Sequence, residues 1–126
     1  MTKFLIIGLG GFIGAILRYS MTRFVTEYST LSTFWGTLTV NILGCLILGV
    51  ILQLADFKWL IRPEMKLFLI IGVLGSFTTF AAFANESLTM LKSEQYLTLV
   101  FNVTTQIVIG ISALWAGSFI ARSIKI

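Results

Sequence analysis

Apolar residues fall in four long runs, at about 4–24, 34–54, 67–91 and 96–120, with short polar stretches between them. The runs show neither the strict alternation of a half-buried strand nor the one-sided stripe of a soluble helix. A helix rises about 1.5 Å per residue, so some 20 apolar residues cross a hydrocarbon core of about 30 Å. Glu27 to Ser32 reads as a short polar loop, and Lys92 to Gln95 as a tight turn. Asp56 to Lys66 is the longest charged stretch and holds the sole proline, Pro63, with Trp59 placed at headgroup level. The pattern predicts an all-α integral membrane protein, one transmembrane domain over residues 1–126, with both termini on the same side.

The third run contains a stretch that suits a continuous buried helix badly: Gly75-Ser76-Phe77-Thr78-Thr79-Phe80-Ala81-Ala82-Phe83. Glycine and β-branched threonine have weak helix propensity. Leu67 to Leu74 alone would cover only about 12 Å, so the third helix is expected to be broken near mid-membrane and to resume at about Phe80. Unwound backbone at that depth is tolerated only inside protein or beside a water-filled cavity, where it marks ion or substrate sites.

Polar residues inside the other runs bear on the same region. Thr37, Asn41 and Cys45 follow one another at intervals of four and share a helix stripe, as do Asn102 and Gln106, with Ser112 off that line. Asn41 either bonds a neighbouring helix or turns its NH₂ toward a polar pathway. Arg18 either snorkels to the interface or is a buried cation drawing anions toward a vestibule. Glu86 is the one acidic candidate well within a span. Thr37, Thr39, Thr78 and Thr79 add hydroxyls, so the intramembrane lining is polar but largely uncharged. Amides and hydroxyls can donate to an anion. Phe80 and Phe83 lie on one helix face, and their ring edges carry the positive part of the quadrupole; they either pack or meet an anion. Gly10 with Gly14, and Ala113 with Gly117, form small-xxx-small pairs that allow close helix approach.

Composition narrows the field. The chain is 57% hydrophobic and 11% charged, with mean hydropathy +0.98. The first run continues into Arg18 with no small-residue cleavage site, so it is read as a retained helix. A net charge of +4 fits lipid headgroups rather than nucleic acid. The chain has no histidine and a single cysteine, Cys45, which gives zinc and haem nothing to bind to. It has no phosphate loop, nucleophile elbow or zinc-protease signature, so the chain is not expected to be an enzyme. Basic residues on the termini side are Lys3, Lys58, Arg62, Lys66, Arg122 and Lys125, against Arg18, Arg23 and Lys92 opposite, a moderate bias. Four short spans leave little room for a pathway in one subunit, which points to a homo-oligomer.

Three stretches together resemble the Fluc (CrcB) fluoride channels: Gly10-Gly11-Phe12-Ile13-Gly14-Ala15-Ile16-Leu17-Arg18-Tyr19, Gly36-Thr37-Leu38-Thr39-Val40-Asn41-Ile42-Leu43-Gly44, and Gly75 to Phe83 followed by Glu86. The resemblance runs through essentially the whole chain. It implies a dual-topology, antiparallel homodimer in the bacterial inner membrane, passively exporting fluoride through two pores. Asn41, Phe80 and Phe83 would line those pores, and Thr37, Thr39, Ala81, Ala82, Gln106 and Ser112 are further candidates. Arg18 and Glu86 would sit in the vestibule. A structural sodium ion on the dimer axis would be held by the backbone carbonyls of Gly75 and Thr78. Such carbonyls are suitable hard ligands.

The chain departs from the family pattern at one point. Where the family commonly reads Thr-Thr-Phe-Ser-Thr-Phe, this sequence has Thr78-Thr79-Phe80-Ala81-Ala82-Phe83. Two hydroxyls are missing, and slow fluoride conduction is expected. Two rival readings remain. A small dual-topology multidrug exporter would need a carboxylate embedded in the first helix, and that run has none. A non-transporting interaction subunit would use its polar residues only as glue between helices.

Overall fold

The computed structural model describes residues 1–29, 33–56 and 61–123. Trp59, Lys58 and Lys125 lie outside them. Every element among the described residues is helical: α1 (Thr2–Ser29), α2 (Thr33–Asp56), α3 (Pro63–Lys66), a π-helical segment (Leu67–Leu74), α4 (Gly75–Phe77), α5 (Phe80–Lys92) and α6 (Tyr96–Ser123). Four stretches are long and apolar enough to cross a membrane: Thr2–Glu27, Phe34–Asp56, Pro63–Lys92 and Tyr96–Ser123. This is a multi-pass membrane protein.

Two boundaries differ from those expected. The helix of α1 continues through Ser29 instead of giving way to a loop at Glu27. Arg23 donates through Nε to Glu27 at 2.7 Å and through Nη1 to the Tyr19 hydroxyl at 3.1 Å, contacts one turn away on either side. Pairs four apart stabilise a helix, and here they carry it past its apolar portion. The third stretch starts earlier than Leu67, because Pro63 opens a helix after the extended Arg62. Proline is suited to the first helical turn, where its missing N–H would have no partner anyway.

Close backbone approach organises the packing. α2 packs most extensively against α6, and α1 lies along the π-helical segment and α4. At the α2/α6 crossing, a Cβ on Gly49 would overlap the Leu114 carbonyl, and one on Gly117 would overlap that of Leu46. Gly117 thus approaches the backbone of Leu46 and Val50 in α2, and Gly49 that of Leu114 and Ser118 in α6. Ser118 Oγ uses the proximity, donating to the Gly49 carbonyl at 3.1 Å. Gly10 and Gly14 similarly seat α1 against residues 68–77. Val40, Leu74 and Phe77 form one buried cluster, and Phe34, Leu38 and Met90 another. The first cluster ties α2 to the residues just before the Thr78–Thr79 step, fixing where that step lies.

The turn after α5 closes with Glu94 N–H on the Leu91 carbonyl and Gln95 N–H on that of Met90. Glu94 takes the left-handed conformation, φ 58°, that this helix ending requires. α6 thereby returns against α2, with α5 packed on both.

Candidate functional site

Helical geometry stops at two residues. Thr78 (φ −80°, ψ 158°) and Thr79 (φ −149°, ψ 115°) are extended between α4 and α5. Extended backbone inside an apolar protein needs partners for its peptide groups, because an unpaired buried group costs about 1–3 kcal/mol. Asn41 supplies both partners for Thr79. The Thr79 N–H donates to Asn41 Oδ1 at 2.8 Å, and Asn41 Nδ2 donates to the Thr79 carbonyl at 3.1 Å. The side-chain amide acts as a neighbouring peptide would.

α5 then starts with its own cap. Thr79 Oγ1 accepts from the Ala82 N–H at 3.2 Å, the usual role of a hydroxyl at a helix N-terminus. These two diversions have a consequence for α4. In an unbroken helix the Thr79 N–H would meet the Gly75 carbonyl, and the Ala82 N–H would meet that of Thr78. Both donors are engaged elsewhere. Thr78 itself remains attached to α4, with its N–H and its hydroxyl each 3.0 Å from the Leu74 carbonyl. Gly44 of α2 lies beside it, and a Cβ there would overlap the Thr78 methyl.

A cavity of about 390 Å³ opens at this step. Asn41 and Gln106 form its amide wall, Phe80 and Phe83 its aromatic wall, and Gly75 and Thr78 its rim. Asn41 Nδ2 also donates to Gln106 Oε1 at 3.1 Å. The two rings sit 5.5 Å apart, tilted by 59°, and Phe80 is 76% exposed. The structure thus brings together six residues singled out from the sequence, from α2, α4, α5, α6 and the step itself.

The remaining candidates are placed elsewhere. Thr37, 3% exposed, donates to Glu86 Oε1 at 2.6 Å. Glu86 and Ala82 line a second cavity of about 480 Å³ with Asn85, Thr89 and Thr98. Thr39 donates within its own helix to the Trp35 carbonyl at 2.8 Å. Ala81 and Ser112 are exposed and line neither cavity. Arg18 is half-buried on α1, with no hydrogen bond or ion pair to it among the described residues. Asn102 is fully buried and donates to Ser87 Oγ at 3.3 Å, tying α6 to α5 away from the first cavity.

Sequence reasoning placed Thr79 among the polar residues of the spans but missed its part in the site. A threonine preceding a helix-compatible run is a possible cap, and that signal was present in the sequence. The apolar wall contributed by Leu48, Ile70, Leu74 and Ile107 carried no distinguishing signal, since such residues recur throughout the chain.

The family described as CrcB-like protein, Camphor Resistance (CrcB), matches residues 5–118. The chain belongs to the CrcB family. This CrcB chain is 38% identical over 124 residues to the fluoride-specific ion channel FluC 1 of Methanosarcina acetivorans, spanning 98% of the chain and 94% of that protein. It is 39% identical over 122 residues to the fluoride-specific ion channel FluC of Phocaeicola vulgatus, spanning 97% and 100%. A third CrcB relative, the fluoride-specific ion channel FluC of Flavobacterium psychrophilum, is 35% identical over 118 residues.

Proposed function

We propose that this chain is a fluoride-specific ion channel, not an enzyme, passing fluoride down its gradient out of the cytoplasm. The carrying observation is the cavity at Thr78–Thr79, where amides from α2 and α6 face two phenylalanine rings. A small, strongly hydrated anion can cross apolar surroundings only if other donors replace its water. Amide N–H groups are such donors, and ring edges add weak positive potential without a fixed counter-charge that would trap the ion. Neutral walls bind weakly enough for release, which conduction requires.

The working unit in this reading is an antiparallel homodimer in the bacterial inner membrane, with the interrupted third helix near mid-membrane. The 76% exposure of Phe80 beside the cavity supports it, because a second copy would cover that ring and complete the wall. Sodium fits the same step. The Gly75 and Thr78 carbonyls have lost their helical donors to Asn41 and Thr79, and such carbonyls suit a hard monovalent cation. Sodium bound there would supply positive charge at the dimer axis and hold two copies of the step together.

The test is fluoride efflux from liposomes holding the purified chain alone, with an ionophore carrying the compensating cation. Rapid fluoride release without matching chloride release is expected. Liposomes that retain their fluoride would overturn the channel reading.

A further inference from the structure

Resting on the fluoride-channel reading, we propose that the anion's hydrogen-bond donor in the first cavity is the side-chain NH₂ of Gln106. Asn41 is the positioning residue that holds Gln106 with this group left unpaired. The assignment follows from a chain of polarity that starts at the backbone. A peptide N–H can only donate, so the Thr79 N–H at 2.8 Å fixes the facing atom of Asn41 as its oxygen. The Asn41 NH₂ must then face the other way, where it meets the Thr79 carbonyl and Gln106, each at 3.1 Å. Facing a donor, Gln106 has to present Oε1. Its Nε2 is left over, buried and with no partner among the described residues.

The two amides of the cavity wall therefore differ in what they can offer. Asn41 has two N–H groups, and both are committed. Gln106 has two, and neither is. Turning either amide over would set donor against donor or oxygen against oxygen, so the arrangement holds as a unit. A buried NH₂ without a partner is unfavourable in the empty site, and an anion that accepts from it relieves that cost. The ligand it suits is a small, hard, hydrogen-bond-accepting anion. A cation would meet the wrong end of the dipole, and an apolar solute would leave the donor unsatisfied.

Two variants test the assignment in fluoride-loaded liposomes, alongside the unaltered chain and thermal unfolding of each protein. Gln106→Glu keeps the oxygen that Asn41 needs and replaces the free NH₂ with an acceptor. Gln106→Met is similar in length and neutral, and separates loss of the donor from the effect of added charge. Both are expected to lower fluoride efflux by about tenfold or more, the effect of losing one hydrogen bond to a charged group. Gln106→Glu should unfold near the temperature of the unaltered chain, and Gln106→Met somewhat lower because Asn41 loses its Oε1 acceptor. Efflux through Gln106→Met within about threefold of the unaltered chain overturns the assignment, whatever the glutamate variant does, because one charge-assisted contact is worth at least about tenfold. An unaltered chain that releases no fluoride sinks the channel reading itself. A conducting unaltered chain with conducting Gln106 variants sinks only this assignment.

Discussion

The two cavities lie on opposite faces of one helix and have opposite chemistry. Phe80 and Phe83 face the first. Ala82, Asn85, Glu86 and Thr89 face the second, about 140–240° around α5 from Phe80. The first is walled by neutral amides and rings, with an NH₂ lacking a partner. The second holds a carboxylate, with Glu86 Oε1 accepting from Thr37 and Oε2 buried without a partner. One helix thus separates a wall with an unpartnered amide NH₂ from a wall with an unpartnered carboxyl oxygen. The contrast shows that polarity alone does not identify a path for an anion. What matters is which end of each dipole is left over once the protein's own groups are satisfied.

The strongest way to break this contrast is at Asn41, which sustains the first cavity from behind. Asn41→Ala leaves both peptide groups of Thr79 without their partner and releases Gln106. At about 1–3 kcal/mol for each uncompensated group, the variant should unfold at a clearly lower temperature and lose fluoride efflux by roughly a hundredfold or more. Thermal unfolding and liposome efflux measured on one preparation would check this. Unchanged unfolding would mean that water or another side chain already serves the step.

A smaller effect is expected from the acid side. Thr37→Val removes the donor to a buried carboxylate while preserving side-chain shape. A hydrogen bond to a carboxyl is worth about 0.5–3 kcal/mol, neutral bonds at the lower end and charged ones at the upper, and a loss of stability in that range is expected. Thr37→Ser should restore it. If both variants unfold like the unaltered chain, Glu86 is satisfied without Thr37, and the second cavity is wetter than its walls suggest.

Smaller again is the combined change Ala81→Ser with Ala82→Thr, which returns the hydroxyls common in the family. One recovered hydrogen bond to a charged group would raise efflux by about 10–150-fold. The placement of the two alanines favours the lower end, about tenfold. Ala81 is exposed and lines neither cavity, while Ala82 faces the cavity of Glu86 rather than the rings. A hydroxyl there would act by donating to the acid-side wall. Efflux unchanged by the double substitution would show that the missing hydroxyls do not limit conduction.

The four long apolar stretches were legible because they rest on local signals, whereas the grouping of Asn41 with Phe80 and Phe83 came from the family resemblance and not from spacing. Run length, glycine and threonine propensity, and i, i+4 spacing are all visible in one sequence. The partners of the amides were not. Asn41 meets Thr79, 38 residues away, and Gln106, 65 residues away. The close α2/α6 approach at Gly49 and Gly117 and the Val40–Leu74–Phe77 cluster bring those helices into reach. The separation of Glu86 from the amide cavity was equally hidden. Periodicity put Thr37 and Asn41 on one stripe, but a stripe four residues long passes two different neighbours, Glu86 at one turn and Thr79 at the next. The extra turn of α1 was foreseeable from Arg23 and Glu27, whose spacing supports a helix however polar the residues.

In the sodium reading, Thr78 contributes its backbone carbonyl and not its side chain. Its hydroxyl donates to Leu74, a bond inside its own helical turn, and its methyl rests beside Gly44. Thr78→Ala removes both and leaves the carbonyl where it was, because the direction of that carbonyl is set by the extended dihedrals of the step and by Asn41 holding Thr79. Stability should fall by about 1 kcal/mol at most, the net worth of one ordinary hydrogen bond. If sodium is held by the Gly75 and Thr78 carbonyls, the rise in unfolding temperature on replacing a bulky organic cation with sodium should be the same in Thr78→Ala as in the unaltered chain. A rise that disappears with the hydroxyl would assign the cation to the side chain instead, and the diverted donors of Thr79 and Ala82 would then serve the helix start alone.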